Sequence, residues 1–70
     1  MRIILTVHAG FRIRKRKISY EEIIETLKWP EKLIKKDGKY YAQRNLGRGR
    51  IEIVCEKTEN YIKIVTVYWV

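Results

Sequence analysis

The sequence predicts an α+β domain in which two N-terminal helices pack on a four-stranded antiparallel sheet, with residues 1 to 5 available as a short N-terminal edge strand. Helical spacing with two capping signals occupies the first part of the chain. From Lys32 onward the pattern turns to strands broken by turn residues. An apolar fraction of 46% beside 34% charged residues belongs to a chain that folds around a core. Seventy residues make one domain, 1–70, with a core small enough that a partner subunit, as in a homodimer, can add to it.

Thr6 is the N-cap expected for helix one, which runs to about Lys15. On a helical wheel Val7, Gly10, Phe11 and Ile13 fall to one side, and His8, Arg12, Lys15 and Arg16 to the other. Arg14 points toward the apolar side, so it must stand at the helix end or reach past its neighbours. Ser19-Tyr20-Glu21-Glu22 reads as a capping box that starts helix two. Ile23, Ile24 and Leu27 form its buried stripe, and Trp29-Pro30 ends it, because proline disfavours helix at the residue before it.

Asp37-Gly38 predicts a two-residue hairpin between strands Leu33–Lys36 and Lys39–Leu46. Gly47-Arg48-Gly49 turns the chain into Arg50–Glu56, where Ile51, Ile53 and Cys55 alternate with Glu52 and Glu56. Thr58-Glu59-Asn60 turns it again into Tyr61–Val70. That last strand opposes Ile62, Ile64 and Tyr68 to Val65, Val67 and Trp69, which predicts a central strand or one covered by a second subunit.

The formal net charge of +8 is unevenly spread. Residues 1–20 carry six cations and no acid, 21–31 sum to −3, 32–50 to +6 and 51–70 to −1. Clustered cations on a folded domain attract phosphate backbones through counterion release, and the arginines at 12, 14, 16, 44, 48 and 50 suit phosphate geometry. The plainer alternative is a solubilising surface. A lone Cys55 excludes an internal disulfide, and the short run Ile3-Ile4-Leu5 falls far below a signal-peptide core or a membrane span. A cytoplasmic protein with no membrane partner is expected. Abundant Lys, Glu and Ile beside the single Gln43 is a bias of thermophile proteins.

His8, Arg12 and Arg16 stand one helical turn apart and can present to one ligand. Metal-independent RNA cleavage needs a base for the 2′-hydroxyl, cations at the phosphate and an acid for the leaving 5′-oxygen, and His8 with the arginines matches the first two. The alternatives are a capping or packing role for His8 and a solvated face for Arg12 and Arg16, paired with Glu21, Glu22 or Glu25. Arg14, Lys15, Lys17, Arg44, Arg48 and Arg50 complete the expected RNA-binding set. Gly47-Arg48-Gly49-Arg50 is either a phosphate-cradling loop or a plain hairpin. Tyr40, Tyr41, Tyr61, Tyr68 and Trp69 can stack on unpaired bases or pack within the fold. No metal or other cofactor is expected, since the one histidine and one cysteine lie far apart in sequence.

The run His8-Ala9-Gly10-Phe11-Arg12-Ile13-Arg14-Lys15-Arg16-Lys17-Ile18, a Glu-rich helix ending near a proline, and the closing Ile-Val-Thr-Val-Tyr-Trp strand together resemble the family called domain of unknown function 4258. The resemblance spans nearly the whole chain. It implies a place beside the RelE and ParE-like toxins, in the broad group of metal-independent ribonuclease folds, and a RelE-like arrangement of helices and sheet. It singles out His8, Arg12 and Arg16 on the helix, with Thr66 as a positioning hydroxyl and Tyr68 as an acid or phosphate ligand on the final strand. The family often has glycine where this chain has Lys17. Some such toxins act on gyrase and not on RNA. The expectation is a toxin-like endoribonuclease that cuts RNA through a 2′,3′-cyclic phosphate, restrained by an acidic antitoxin. A non-catalytic nucleic-acid-binding module and a small inhibitor of another macromolecule are the alternatives.

Overall fold

The computed structural model describes residues 2–70. In chain order it has β1 (Arg2–Leu5), α1 (Val7–Lys15), α2 (Tyr20–Lys28), β2 (Lys32–Lys36), β3 (Lys39–Asn45), β4 (Arg50–Lys57) and β5 (Tyr61–Trp69). The sheet has five strands in the order β1-β5-β4-β3-β2. It is mixed and not the four-stranded antiparallel sheet expected. β2 to β5 form the antiparallel meander, but β1 joins β5 in parallel, pairing Ile3 with Ile62 and Leu5 with Ile64. The reason is the return path: α1 and α2 carry the chain from β1 across the sheet to its far edge, and the meander comes back until β5 lies beside β1. β5 is therefore an inner strand, as its apolar composition required.

The two-sided look of β5 has a different cause from a second covered face. Cys55 pairs with Ile64 but Val54 pairs with Thr66, so Val65 is an extra residue and a β-bulge. Before it, Ile62 and Ile64 face the helices; after it, Val67 and Trp69 do. One bulge shifts the alternation by one residue, and both apolar sets serve a single core.

That core lies between the helices and one face of the sheet. It is built from Ala9, Ile18, Ile23, Ile51, Ile53, Cys55, Ile62, Ile64 and Val67. In α1 the wheel misplaces the contact: Val7 is 91% exposed and Phe11 51%, while Ala9 is fully buried with Ile13 packed beside it. A nine-residue helix this close to a sheet approaches best through its smallest side chain. In α2 Ile23 and Leu27 are inward as expected, and Thr26 is also fully buried, its hydroxyl donating to the Glu22 carbonyl at 2.8 Å.

Candidate functional site

Helix α1 is fixed to β5 at its first residue. The Thr6 hydroxyl accepts from the Ala9 amide at 3.0 Å as an N-cap and donates to the Val65 carbonyl at 2.9 Å, while the Thr6 amide donates to Ile64. The helix thus starts at the bulge, one residue from Thr66. Its far end closes with a pair of reverse bonds, Lys17 N–H to Arg14 carbonyl and Ile18 N–H to Ile13 carbonyl, the Schellman arrangement. Lys17 takes the left-handed conformation this cap demands, at φ 54°. Lys17 therefore holds this turn at the steric cost of a Cβ that glycine would not bear.

Backbone close to helical persists to Arg16, at φ −93° and ψ 3°, so His8, Arg12 and Arg16 do share one face of α1. His8 is exposed, and Arg12 and Arg16 are half-buried. Arg14 runs back along the helix over Gly10, which is how a cation is accommodated on the more apolar side. Lys15 Nζ stands 5.6 Å from the Phe11 ring centroid, keeping that exposed ring beneath a cation. Among the described residues none of Arg12, Arg14, Lys15, Arg16 and Lys17 forms an ion pair. Arg16 Nε is buried with no hydrogen-bond partner. Pairing of Arg12 and Arg16 with Glu21, Glu22 or Glu25 does not occur.

Those acids hold the other arginines. Arg48 grips Glu22 through two bonds, Nε to Oε2 at 3.1 Å and Nη2 to Oε1 at 2.8 Å, donates to the Lys17 carbonyl, and lies 5.0 Å from the Trp69 ring centroid. Glu22 also closes the capping box with Ser19, and the Arg48 guanidinium followed by the Ser19 amide hold its carboxyl down at about 2. Arg44 donates to the Trp29 carbonyl at 2.6 Å and to Glu25 at 3.5 Å. Arg50 bonds Gln43 and pairs with Glu31 at 3.0 Å. The glycine-rich turn is a hairpin folded onto Trp69: a Cβ on Gly49 would come within 3.2 Å of that ring. Its arginine is an internal clamp and not a free phosphate ligand.

Thr66 and Tyr68 lie on the other face of the sheet, which no helix covers. Register with β4 places Tyr68 opposite Glu52, and its hydroxyl donates to the Glu52 carboxylate. Gln43 donates to the other Glu52 oxygen at 2.7 Å and accepts from Arg50, so a chain of polar contacts runs from Tyr68 to Glu31. Glu52 is only 8% exposed. Alternation reads it as a solvent-facing strand residue, and nothing in the sequence marks the tyrosine and glutamine that enclose it. No hydrogen bond joins Tyr68 to His8, Arg12 or Arg16 among the described residues, and the sheet stands between them. Thr66 follows the Val65 carbonyl that receives the Thr6 hydroxyl, but it faces the helix-free side and is not brought to the α1 cations. Burial raises the Cys55 thiol above its ordinary value, and this side chain belongs to the core. No group of His, Cys, Asp and Glu among the described residues has the makings of a metal site. Among the described residues no helix is long and apolar enough to cross a membrane.

Residues 5–69 match the family model described as Domain of unknown function (DUF4258). The chain belongs to this family. No curated protein and no solved structure matches it. Within the DUF4258 match fall the N-cap of α1, the unpaired cations, the acid-clamped arginines and the bulged final strand.

Proposed function

We propose that the protein is a toxin-like RNA-acting domain related to the RelE and ParE-like toxins, a metal-independent endoribonuclease restrained by an acidic partner protein. The observation that carries this reading is the cation cluster of α1 and its C-terminal turn, left without carboxylates while every arginine between 44 and 50 is paired. An unpaired cation set suits phosphate, which offers acceptors and charge together. The order of two helices ahead of a hairpin-linked sheet agrees with the RelE-like arrangement.

In this reading His8 takes the proton of the 2′-hydroxyl, whose oxygen attacks the adjacent phosphorus while Arg12 and Arg16 face the charge that grows there. The bond from phosphorus to the 5′-oxygen breaks, leaving a 2′,3′-cyclic phosphate. Water at this exposed face returns a proton to the 5′-oxygen, and the imidazolium neutralises the hydroxide left behind. Tyr68 has no acid role here, because its hydroxyl is given to Glu52. That same engagement favours a second reading, a non-catalytic RNA-binding module using the α1 face alone.

Incubating the pure chain with single-stranded RNA in chelator separates them. Cleavage that survives chelator, ends in cyclic phosphate and vanishes in His8→Ala is the expected result. Tight binding with intact RNA leaves the binding module, and no binding at all overturns both.

A further inference from the structure

The aromatic residues of β3 and β5 sort by sheet face. On the helix side Tyr40 lies between Lys35 and Lys57, with ammonium groups 5.5 and 4.6 Å from its centroid, and Trp69 carries Arg48. Tyr41 and Tyr68 belong to the opposite, helix-free face. There a cross-strand row runs Ile34, Tyr41, Val54, Thr66, from β2 to β5. Val54 is only 5% exposed although no helix covers this side, so side chains of its own face close over it and make an apolar floor with Tyr41 as direct neighbour.

Charge on this face favours a polyanion. Lys32, Lys36, Lys39 and Lys63 flank the row. Of the facing acids, Glu52 is engaged by Tyr68 and Gln43, Glu31 by Arg50, and Glu56 by single contacts from Lys39 at 3.9 Å and Lys63 at 3.8 Å, while Lys32 and Lys36 meet no carboxylate among the described residues. An aromatic ring on an apolar floor inside a ring of ammonium groups is what unpaired bases on a phosphate chain require. The start of α1 meets β5 beside this face, where the Thr6 hydroxyl bonds the Val65 carbonyl next to Thr66.

We infer that this uncovered sheet face is a base-stacking platform for single-stranded RNA, with Tyr41 as its central ring. The inference rests on the RNA-acting reading and adds where the bases lie. RNA held by its phosphates along α1 passes the bulge and lays its next unpaired bases on the sheet.

The test compares a single-stranded RNA with an abasic strand of equal length by fluorescence anisotropy. The wild type is expected to prefer the base-bearing strand. Tyr41→Leu, which keeps apolar cover over Val54, should weaken binding of that strand by about 5- to 150-fold and leave the abasic strand unaffected. Tyr41→Phe should bind as wild type. Methyl signals of Val54 and Thr66 in the wild-type chain should move upfield with the base-bearing strand alone, a readout that needs no variant to fold. Equal wild-type affinity for both strands, or a preference that survives in Tyr41→Leu, overturns the platform and leaves RNA binding through α1 standing. Affinity for neither strand overturns the RNA reading and the platform with it.

Discussion

The two basic segments of this chain, 12–17 and 44–50, are similar in residue type and opposite in use. In the first, Arg12, Arg14, Lys15, Arg16 and Lys17 meet no carboxylate among the described residues; in the second, Arg44, Arg48 and Arg50 meet Glu25, Glu22 and Glu31. The difference lies in what packs nearby. Helix α2 places its acids toward the β3–β4 hairpin, and Glu22 is fixed in place by its own capping box. The cations of helix α1 have no carboxylate within ion-pair reach among the described residues. A count of cations therefore overstates the surface offered to a polyanion, because arginines held at short distance by acids are already neutralised and geometrically committed.

Three changes would break or sharpen this contrast. The largest effect belongs to Arg12→Gln with Arg16→Gln. Each phosphate contact removed should lower the salt slope of RNA binding by about one, so the pair should flatten it by about two and cost on the order of tenfold in affinity, with the melting temperature unchanged. A similar slope change in Arg48→Gln would erase the distinction between the segments.

Next comes Arg48→Met, expected to lower the melting temperature while RNA affinity shifts little. Its signature is in acid. The Glu22 carboxyl lies near 2 in the fold against an ordinary 4.5, so its contribution is fully present above about 4.5 and is lost as pH falls toward 2. Stability measured across that window should fall less steeply in Arg48→Met than in the wild type, since the guanidinium is the chief cause of the depression. The smallest effect is Lys17→Gly, which relieves a left-handed residue and should add roughly 0.5–1 kcal/mol in denaturant titration, offset in RNA binding by one lost cation.

The features legible in the sequence are those written in neighbouring residues. Ser19 and Glu22 announce their capping box, Asp37-Gly38 its turn with both residues at positive φ, and His8, Arg12 and Arg16 need only the helical period to align. Long-range relations are not written locally. The grip of Arg48 on Glu22 spans 26 residues and that of Arg44 on Glu25 spans 19, and no period connects such partners. The parallel placement of β1 follows from where the helices deliver the chain, not from its four residues. Glu52 looked outward by alternation and is enclosed because Tyr68 and Gln43 close on it.

Val65 gives the final strand two parities. Residues up to Ile64 count inward on even numbers and those from Val67 on odd ones, so deleting this single residue would run Ile64 straight into Thr66 in regular alternation, with Val67 and Trp69 still on the core side and Thr66 and Tyr68 still outside. What Val65 alone supplies is the displaced carbonyl that takes the Thr6 hydroxyl, so its loss would cost α1 one of its ties to β5 while sparing the sheet. The bulge is thus an anchor for the helix, set in a strand whose facing does not depend on it.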